Sequence, residues 1–333
     1  MRNLYLFFIS LLISFLFTPL TIRLANIWQV VDNPGQVKIQ KEPTPRLGGL
    51  AIFSGVFLSL LFYLILKEGE IGLQVLGVML GAMAIFLVGL LDDIFELKPL
   101  LKFSGQLLAA LIPILFGLRM EIAVSLWISV PLTLFFVLGA CNALNLIDGL
   151  DGLASGVTIL VSTSFLTLFL IQGNPFGALL SLMVMGSNMG FLRYNFHKAK
   201  TYMGDSGSLF LGYILAILAI LCINSSQNRL SSLLAAVLIL GLPVYDTALS
   251  ILRRYLNKKS ISVPDLGHFY NRLMTGYHLS HRKAVGVCWI ISSVFGLLGI
   301  FSYISTLRIG LFILLSVGII CTIGTFRLGF LEE

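Results

Sequence analysis

The stretch from Asn142 to Gly156 reads N-A-L-N-L-I-D-G-L-D-G-L-A-S-G, and it joins two apolar runs at about 127–147 and 152–172. Each run is long enough to cross a bilayer as a helix. Asn142, Asn145, Asp148 and Asp151 follow one another at intervals of three, which would place them on neighbouring parts of one helical face. Ionisable side chains within a membrane span are costly and usually functional. The pattern therefore predicts a polar site, with a plain polar loop as the simpler structural alternative.

The composition is that of an integral membrane protein. Of 333 residues, 57% are hydrophobic and 11% are charged, and the mean hydropathy is +0.97. A soluble domain carries about 25% charged residues. The sequence therefore predicts an all-α polytopic bundle forming a single domain over residues 1–333, with the first apolar run retained as a span rather than cleaved as a signal peptide. Apolar windows give eleven candidate spans and so predict ten or eleven transmembrane helices. The windows lie at about 4–24, 48–66, 71–91, 103–118, 127–147, 152–172, 176–194, 209–224, 230–251, 286–305 and 308–326.

The basic residues are distributed unevenly between the two sides of this predicted bundle. One side holds 17 of the 22 lysines and arginines, and the other side holds 5. The excess marks the cytoplasmic side and predicts an N-terminus outside the cell. Most acidic residues lie on the same side, so we expect the active site to face the cytoplasm. The net charge of +7 is then a topology signal plus a basic face suited to anionic lipid or a nucleotide, and no nucleic-acid partner is expected.

Two adjacent carboxylates end the third predicted span, in the string L-D-D-I-F-E-L-K-P-L-L-K. Asp92 and Asp93 repel each other unless a cation lies beside them or one is protonated. Lys98 and Lys102 follow within three turns and could contact phosphate. A solvated helix end is the structural alternative.

A third string, T-Y-M-G-D-S-G-S-L-F-L-G, places Asp205 between two glycines where another span begins. Backbone N–H groups at a helix N-terminus bind anions, and a neighbouring carboxylate could hold Mg²⁺ against a phosphate. An N-capping Asp or Ser is an equally simple explanation. Asn195 lies in the same predicted loop and could hydrogen-bond a base or a sugar.

Two further cytoplasmic loops carry cations. The first is rich in Pro and Gly, which predicts a turn-rich, non-helical segment that projects Lys41 and Arg46. The longest loop carries His268 and Arg272, which are one turn apart if the segment is helical. The remaining histidines show no spacing typical of ligands and are expected to be surface residues: His197, His278 and His281. Asp246 is expected to form a structural ion pair with Arg253 or Arg254.

Taken together, these strings resemble the polyprenyl-phosphate N-acetylhexosamine-1-phosphate transferases of glycosyltransferase family 4. The resemblance rests on G-L-L-D-D with a downstream lysine, N-A-x-N-x-x-D-G-L-D-G-L-A, G-D-S-G-S-L-F-L-G and P-T-P-R-L-G-G-L-A-I, which cover roughly residues 30–285. The chain is more similar to the branch that starts O-antigen, enterobacterial common antigen and teichoic-acid synthesis than to phospho-N-acetylmuramoyl-pentapeptide transferase. It departs from the family at Tyr270 and Asn271, where histidines are usual, and at Val37 and Gln40 in the first loop.

The resemblance implies transfer of a sugar-1-phosphate, most simply N-acetylglucosamine-1-phosphate, from a UDP-sugar to undecaprenyl phosphate in the bacterial plasma (inner) membrane. It implies Mg²⁺, or Mn²⁺, on Asp205, and Asp92 or Asp93 acting on the lipid phosphate. The sequence is also compatible with a homodimer of this chain. The other implied site residues are those on the nucleotide side (Asn142, Asn145, Asp148, Asp151 and Asn195) and those that contact phosphates or the sugar (Lys41, Arg46, Lys102, His268 and Arg272).

Three alternatives stay open from the sequence. The same chemistry could use another UDP-N-acetyl sugar or a deoxy-amino sugar. A secondary transporter would use intramembrane carboxylates near the bilayer midplane and would show two related halves. An aspartate-rich prenyltransferase would need a second D-D-x-x-D-like motif.

Overall fold

The computed structural model describes residues 3–33, 43–66, 72–122, 125–258, 267–327 and 329. Lys41 lies outside these residues. A two-stranded antiparallel sheet, β1 (Val31–Asp32) and β2 (Thr44–Pro45), is the one departure from the predicted all-α fold within them. The helices are α1 (Tyr5–Ile27), α2 (Gly48–Leu66), α3 (Leu73–Phe95), α4 (Pro99–Leu115), α5 (Leu126–Ile147), α6 (Leu153–Gln172), α7 (Pro175–Asn195), α8 (Gly204–Asn224), α9 (Arg229–Ile239), α10 (Gly241–Leu256), α11 (Phe269–Thr275), α12 (His281–Ile304) and α13 (Leu307–Arg327).

Nine of the helices in the described part of the chain are long and apolar enough to cross a membrane. The pair α9 and α10, which is bent by 72°, makes ten if it forms one span. The protein is therefore a multi-pass membrane protein with nine or ten candidate spans in the described residues, whereas the sequence predicted ten or eleven. The predicted span at 103–118 falls on α4, which has only 17 residues. A helix needs about 20 residues to cross the hydrocarbon core, so α4 is not counted as a span.

Helix α4 and the turn after it nevertheless make a contact with each end of α8. At its start, Lys102 Nζ lies 2.7 Å from Asp205 Oδ2 in the first turn of α8. Just beyond its end, the backbone N–H of Glu121 donates to Oδ1 of Asn224, the last residue of α8, at 3.0 Å. The short helix and the turn after it therefore connect the same two ends of the bundle that α8 connects.

Helix α8 is the central element of the bundle. Its apolar window is entirely buried, and it contacts α2, α3, α5, α6 and α9. A helix that is apolar on every side is expected in such a buried position. The predicted span began at 209, whereas the helix begins at Gly204, because an apolar window cannot detect a polar first turn that neighbouring side chains stabilise.

The two-stranded sheet fixes the approach of the first loop to this central helix. Val31 pairs with Pro45, and the carbonyl of Pro45 accepts hydrogen bonds from Thr201 Oγ1 at 3.0 Å and from the Tyr202 N–H at 2.8 Å. The segment that follows Pro45 is thereby held beside the residues that lead into α8. This arrangement places Arg46 at the N-terminal end of α8.

Candidate active site

The carboxylate of Asp93 is buried at the N-terminus of α8. Its side chain is 0% exposed. Oδ1 accepts from the Asp205 N–H at 2.8 Å, and Oδ2 accepts from the N–H and the Oγ of Ser206 at 2.9 and 2.6 Å. The sequence predicts that N–H groups at this helix N-terminus bind a phosphate or an N-capping side chain. The N–H groups of Asp205 and Ser206 are bound by Asp93. A negative charge at this position is favourable because the helix dipole is positive at its N-terminus.

Asp92 and Asp205 converge on the ammonium group of Lys102. Lys102 Nζ lies 2.9 Å from Asp92 Oδ2 and 2.7 Å from Asp205 Oδ2. The other Asp92 oxygen accepts the Leu97 N–H at 2.9 Å. Two carboxylates from different helices thus share one cation, and all three side chains are between 9% and 19% exposed. Converging carboxylate oxygens are the donors that Mg²⁺ prefers.

Arg46 joins the same cluster from the loop after β2. Its guanidinium donates from Nε and Nη2 to Asp93 Oδ1 at 3.2 and 3.0 Å. Nη2 also lies 3.9 Å from Asp205 Oδ2. The close approach of α3 and α8 depends on Gly89, because a Cβ at that position would lie 2.4 Å from the Asp205 carbonyl oxygen.

The two asparagines of the opening motif lie on α5 and face different neighbours. Asn145 donates to Asp205 Oδ1 and, at 2.9 Å, to Ser208 Oγ. Asn142 donates to Gln106 Oε1 on α4 at 2.8 Å. Asn145 therefore belongs to the carboxylate cluster, while Asn142 connects α5 with α4.

The predicted single face for the four polar residues is wrong. Helix α5 ends at Ile147, Asp148 follows it, and Gly152 has a φ of +78° that turns the chain into α6. Asp148 and Asp151 therefore leave the helical register of Asn142 and Asn145. A positive φ favours glycine, which explains the glycine-rich sequence but could not be located from spacing alone.

Asp148 is half-buried immediately after α5, outside the spans. Burial, together with the carboxylates of Asp205 and Asp93, raises the pKa of the Asp148 carboxyl well above its usual range. The positive charge of Arg46 lowers the pKa of Asp148 and so partly offsets this rise. Asp148 thus adds to the crowding of acids at this end of the bundle, and its protonated form is favoured relative to a solvated aspartate.

Asn195, which the resemblance implies lies on the nucleotide side, holds two loops together. Its Oδ1 accepts the Gly152 N–H at 3.0 Å, and its Nδ2 donates to the Thr201 carbonyl at 3.0 Å. The residue is 2% exposed. Because both ends of the amide are bound to backbone, we assign Asn195 a role in positioning the loop that carries Asp151.

Asp151 lies beside two histidines that the sequence analysis expected at the surface. Its Oδ2 accepts the Ala199 N–H at 3.1 Å and lies 3.8 Å from His197 Nδ1. The rings of His197 and His281 stack, with centroids 4.9 Å apart. The expectation of separate surface histidines is wrong for this pair, because residues 84 positions apart in the chain meet only through the packing of α12 against the loop before α8.

His268 is 5% exposed and is bound to α10. Its Nδ1 lies 2.8 Å from Asp246 Oδ2 and 3.2 Å from Ser250 Oγ. Asp246 also accepts the Phe269 N–H at 2.6 Å through Oδ1. The carboxylate of Asp246, which was expected to pair with an arginine, therefore orients the imidazole and caps the start of α11.

Helix α11 confirms the predicted one-turn relation of His268 and Arg272, since the Arg272 N–H donates to the His268 carbonyl at 3.0 Å. Tyr270, which stands where the family usually has a histidine, is buried and stacks on His268 with an interplanar angle of 5°. Its hydroxyl donates to the Leu146 carbonyl at 3.3 Å. A Cβ at Gly149 would lie 2.0 Å from that hydroxyl, so α11 packs directly on the loop that carries Asp148.

The central carboxylates lie at helix ends. Asp92 and Asp93 are in the last turn of α3, and Asp205 is in the first turn of α8. A transporter with an ion relay at the bilayer midplane would need such groups near the middle of its spans. This geometry instead fits a site at one end of the bundle.

Comparison with known proteins agrees with this geometry. The profile described as Glycosyl transferase family 4 matches residues 75–223. A probable undecaprenyl-phosphate N-acetylglucosaminyl 1-phosphate transferase of Bacillus subtilis is 39% identical over 92% of this chain and 87% of its own. The chain belongs to glycosyl transferase family 4.

Two further relatives are similar to the chain at lower identity. A decaprenyl-phosphate N-acetylglucosaminephosphotransferase of Mycobacterium tuberculosis (strain ATCC 25618 / H37Rv) is 31% identical over 80% of this chain and 74% of its own. A phospho-N-acetylmuramoyl-pentapeptide-transferase of Desulforamulus reducens is 33% identical over 88% of this chain and 93% of its own. The protein is therefore a membrane transferase of family 4. The matched residues 75–223 contain most of the predicted site: Asp92, Asp93, Lys102, Asn142, Asn145, Asp148, Asp151, Asn195 and Asp205.

Proposed function

We propose that this protein transfers N-acetylglucosamine-1-phosphate from UDP-N-acetylglucosamine to undecaprenyl phosphate, releasing UMP. The observation that carries the proposal is the convergence of Asp92 and Asp205 on Lys102 at one end of a bundle of spans. The names of the Bacillus subtilis and Mycobacterium tuberculosis relatives support the choice of N-acetylglucosamine. The product would be a lipid-linked diphosphate sugar that starts cell-envelope polysaccharide synthesis.

The position of the cluster suits a lipid acceptor and a soluble donor. The acceptor's hydrocarbon tail must remain in the bilayer while its phosphate reaches a nucleotide sugar in the cytoplasm. The carboxylates lie at the ends of α3 and α8, and the charge asymmetry of the sequence puts this end at the cytoplasmic face. We therefore propose an outside N-terminus and an active site that opens to the cytoplasm of the bacterial cell.

Asp205 and Asp92 are the residues we propose for holding Mg²⁺. Their Oδ2 atoms both lie within 2.9 Å of Lys102 Nζ, so the pair already binds one cation between two oxygen ligands. When bound, the metal ion would neutralise charge on the diphosphate of the UDP-sugar donor, which is cleaved as the sugar-1-phosphate is transferred and UMP leaves. Mn²⁺ has similar ligand preferences. Asn145, which donates to Asp205, would orient that carboxylate.

Lys102 and Asp92 also have proposed tasks toward the substrate phosphates. Lys102 would exchange its carboxylate contacts for phosphate oxygens, because its ammonium is a compact charge on a flexible chain. Asp92 would orient the acceptor phosphate, since Asp93 is fully occupied by α8 and Arg46. The second pKa of a phosphate monoester is near 6, so the acceptor is largely dianionic at neutral pH. Positioning and charge neutralisation then account for most of the catalysis.

The test uses purified protein in detergent with undecaprenyl phosphate, Mg²⁺ and radiolabelled UDP-N-acetylglucosamine. We expect labelled lipid and an equal amount of UMP. UDP-N-acetylgalactosamine and a UDP-deoxy-amino sugar serve as competing donors. Preferred transfer from either would replace the proposed sugar while keeping the reaction class, and absence of labelled lipid with all donors would contradict the reaction itself.

Lys102 and Lys98 provide a matched pair of variants for this assay. Lys98 is exposed, whereas Lys102 bridges the two carboxylates. We expect Lys102→Gln to lower the rate about 10²-fold, the usual effect of removing a charged group from the transition state. Lys98→Gln should remain close to the wild-type rate. Equal rates for the two variants would remove Lys102 from the site.

A further inference from the structure

A second cluster of potential metal ligands lies beside the carboxylate site. Asp151, His197 and His281 each offer one ligand atom, and these atoms all lie within 4.8 Å of one another. Among the described residues this is the one group of three or more His, Cys, Asp or Glu side chains with that geometry. All three residues are partly buried and partly accessible. The three side chains therefore already lie together.

Two nitrogen atoms in this cluster have no hydrogen-bond partner. Nδ1 of His197 and Nδ1 of His281 are both buried and unpaired. Buried polar atoms in native proteins are nearly always paired with protein, water or an ion. His197 Nδ1 faces Asp151 Oδ2 at 3.8 Å, and the two imidazole rings lie against each other. Two unpaired imidazole nitrogens beside a carboxylate indicate that a further group completes the cluster.

We infer that Asp151, His197 and His281 bind a borderline divalent transition-metal ion such as Zn²⁺. Two imidazoles and a carboxylate form a donor set that Zn²⁺ uses with one position left open. Bonds of about 2 Å in a tetrahedron place ligand atoms about 3.3 Å apart. His197 Nδ1 and Asp151 Oδ2 are 3.8 Å apart and all three ligand atoms lie within 4.8 Å of one another, so a bound ion would draw the three side chains closer together. Mg²⁺ prefers all-oxygen sites, and the pair formed by Asp92 and Asp205 offers that chemistry instead.

An ion at this position would join three separate segments. Asp151 lies in the connection between α5 and α6, His197 lies in the connection between α7 and α8, and His281 begins α12. Two of these segments are already linked, because the Asp151 N–H donates a hydrogen bond to His281 Nε2 at 3.2 Å. The metal would therefore fix the start of α12 against the loop that carries Asp148. This inference concerns ion binding alone and does not rest on the proposed function.

The experiment is a Co²⁺ titration of the metal-free full-length protein, followed by visible absorption. Co²⁺ substitutes for Zn²⁺ and gives an intense d–d band in a tetrahedral site. We expect one equivalent of Co²⁺ to produce this band, Zn²⁺ to abolish it, and excess Mg²⁺ to leave it unchanged. Asp205→Asn should keep the band. Loss of the band with Mg²⁺ or in Asp205→Asn would assign the ion to the carboxylate cluster and overturn the inference.

Variants of the two histidines test the assignment of ligands. His197→Gln and His281→Gln should each weaken Co²⁺ binding at least roughly tenfold. The matched control is His278→Asn, because His278 is exposed and has a φ of +52° that asparagine tolerates. A wild-type protein without the band, or ligand variants that bind Co²⁺ as the control does, would overturn the inference. If one ligand variant fails to fold, the other variant and the wild-type titration still decide between these results.

Discussion

Replacing Asp93 with asparagine should destabilise the protein, whereas the same change at Asp92 should remove activity from a stable protein. The Asp93 carboxylate accepts five hydrogen bonds, two of them from Arg46, one from the Asp205 N–H and two from Ser206. Each of its oxygens faces at least two donors. An asparagine NH₂ group must therefore point at donors in either orientation.

The cost follows from the number of lost bonds. At least two hydrogen bonds to a buried charge disappear, each contributing about 1.5–3 kcal/mol, and Arg46 loses its buried partner. We expect Asp93→Asn to lower the free energy of unfolding by about 3–5 kcal/mol. Asp92 differs because an amide oxygen can keep the Leu97 N–H and Lys102 keeps Asp205. Its asparagine variant should lose about 1 kcal/mol.

The assay combines thermal unfolding in detergent with the transferase measurement. Asp93→Asn should lower the apparent Tm by on the order of 10 °C and should also lose activity. Asp92→Asn should stay within a few degrees of wild type, by the same scaling, and should lose about 10²-fold in rate. Ser206→Ala is the graded control, because it removes the 2.6 Å bond from Oγ to Asp93 and no charge. It should lie between wild type and Asp93→Asn.

Two results would refute this assignment. One is an Asp93→Asn protein with the wild-type Tm, since the carboxylate could not then be stabilising α8. The other is an equal fall in Tm for both aspartate variants. In that case the two carboxylates would share one structural role, and the choice of Asp92 for the acceptor phosphate would lose its basis.

Four further predictions use the same protein. Asp205→Asn should abolish transfer without unfolding the protein, and raised Mg²⁺ should restore part of the rate if the carboxylate is a metal ligand; unchanged activity at low Mg²⁺ would exclude that role. The pKa of Asp148 is higher in the folded state than in the unfolded state, so the folded state binds more protons between these two pKa values and its stability should fall as the pH rises through that range. In Tm measurements in EDTA, Asp148→Asn should remove this pH dependence and should have a higher Tm than wild type at neutral pH. A topology reporter after Lys259 should read cytoplasmic and one at Glu68 external, and the same side for both would contradict the span assignment. Asn271→His should change the ratio of rates with UDP-N-acetylglucosamine and UDP-N-acetylgalactosamine; a uniform rise with both donors would instead indicate restored positive charge.

Much of the fold, and the family, could be predicted from the sequence because the patterns that indicate them lie within short stretches of the chain. Apolar windows located the nine helices of the described residues that are long enough to span and the bent pair of α9 and α10, although they also predicted a span at the shorter α4. The charged flanks of the windows gave a predicted orientation. The strings around Asp92, Asn145 and Asp205 pointed to residues that the structure brings into one cluster. Asn145 and Asp205 lie 60 positions apart in the chain, but each stands in a motif that is recognisable by itself.

The parts that sequence reasoning missed depend on packing between distant elements. Nothing in the string around Asp93 shows that its carboxylate will cap α8, 112 residues later. Spacing likewise gave no indication that His197 would meet His281, or that Asp246 would hold His268. Tyr270, one of the two departures from the family pattern in the longest loop, is buried against the loop at Leu146. Asn271 is therefore the better position for testing donor preference, because Tyr270→His would also disturb the packing of α11.

The charges of the cluster explain why a divalent cation should accompany the substrates. Asp92, Asp93 and Asp205 contribute three negative charges, and Arg46 and Lys102 contribute two positive charges. The cluster is thus negative by one charge before any substrate enters, and its carboxylates add to the effect of burial in raising the pKa of Asp148. The donor diphosphate and the acceptor phosphate are themselves anionic, so this set of residues alone would repel them. One dication held by Asp205 and Asp92 would reverse the sign of the cluster, so anionic substrates would be attracted only when that cation is present.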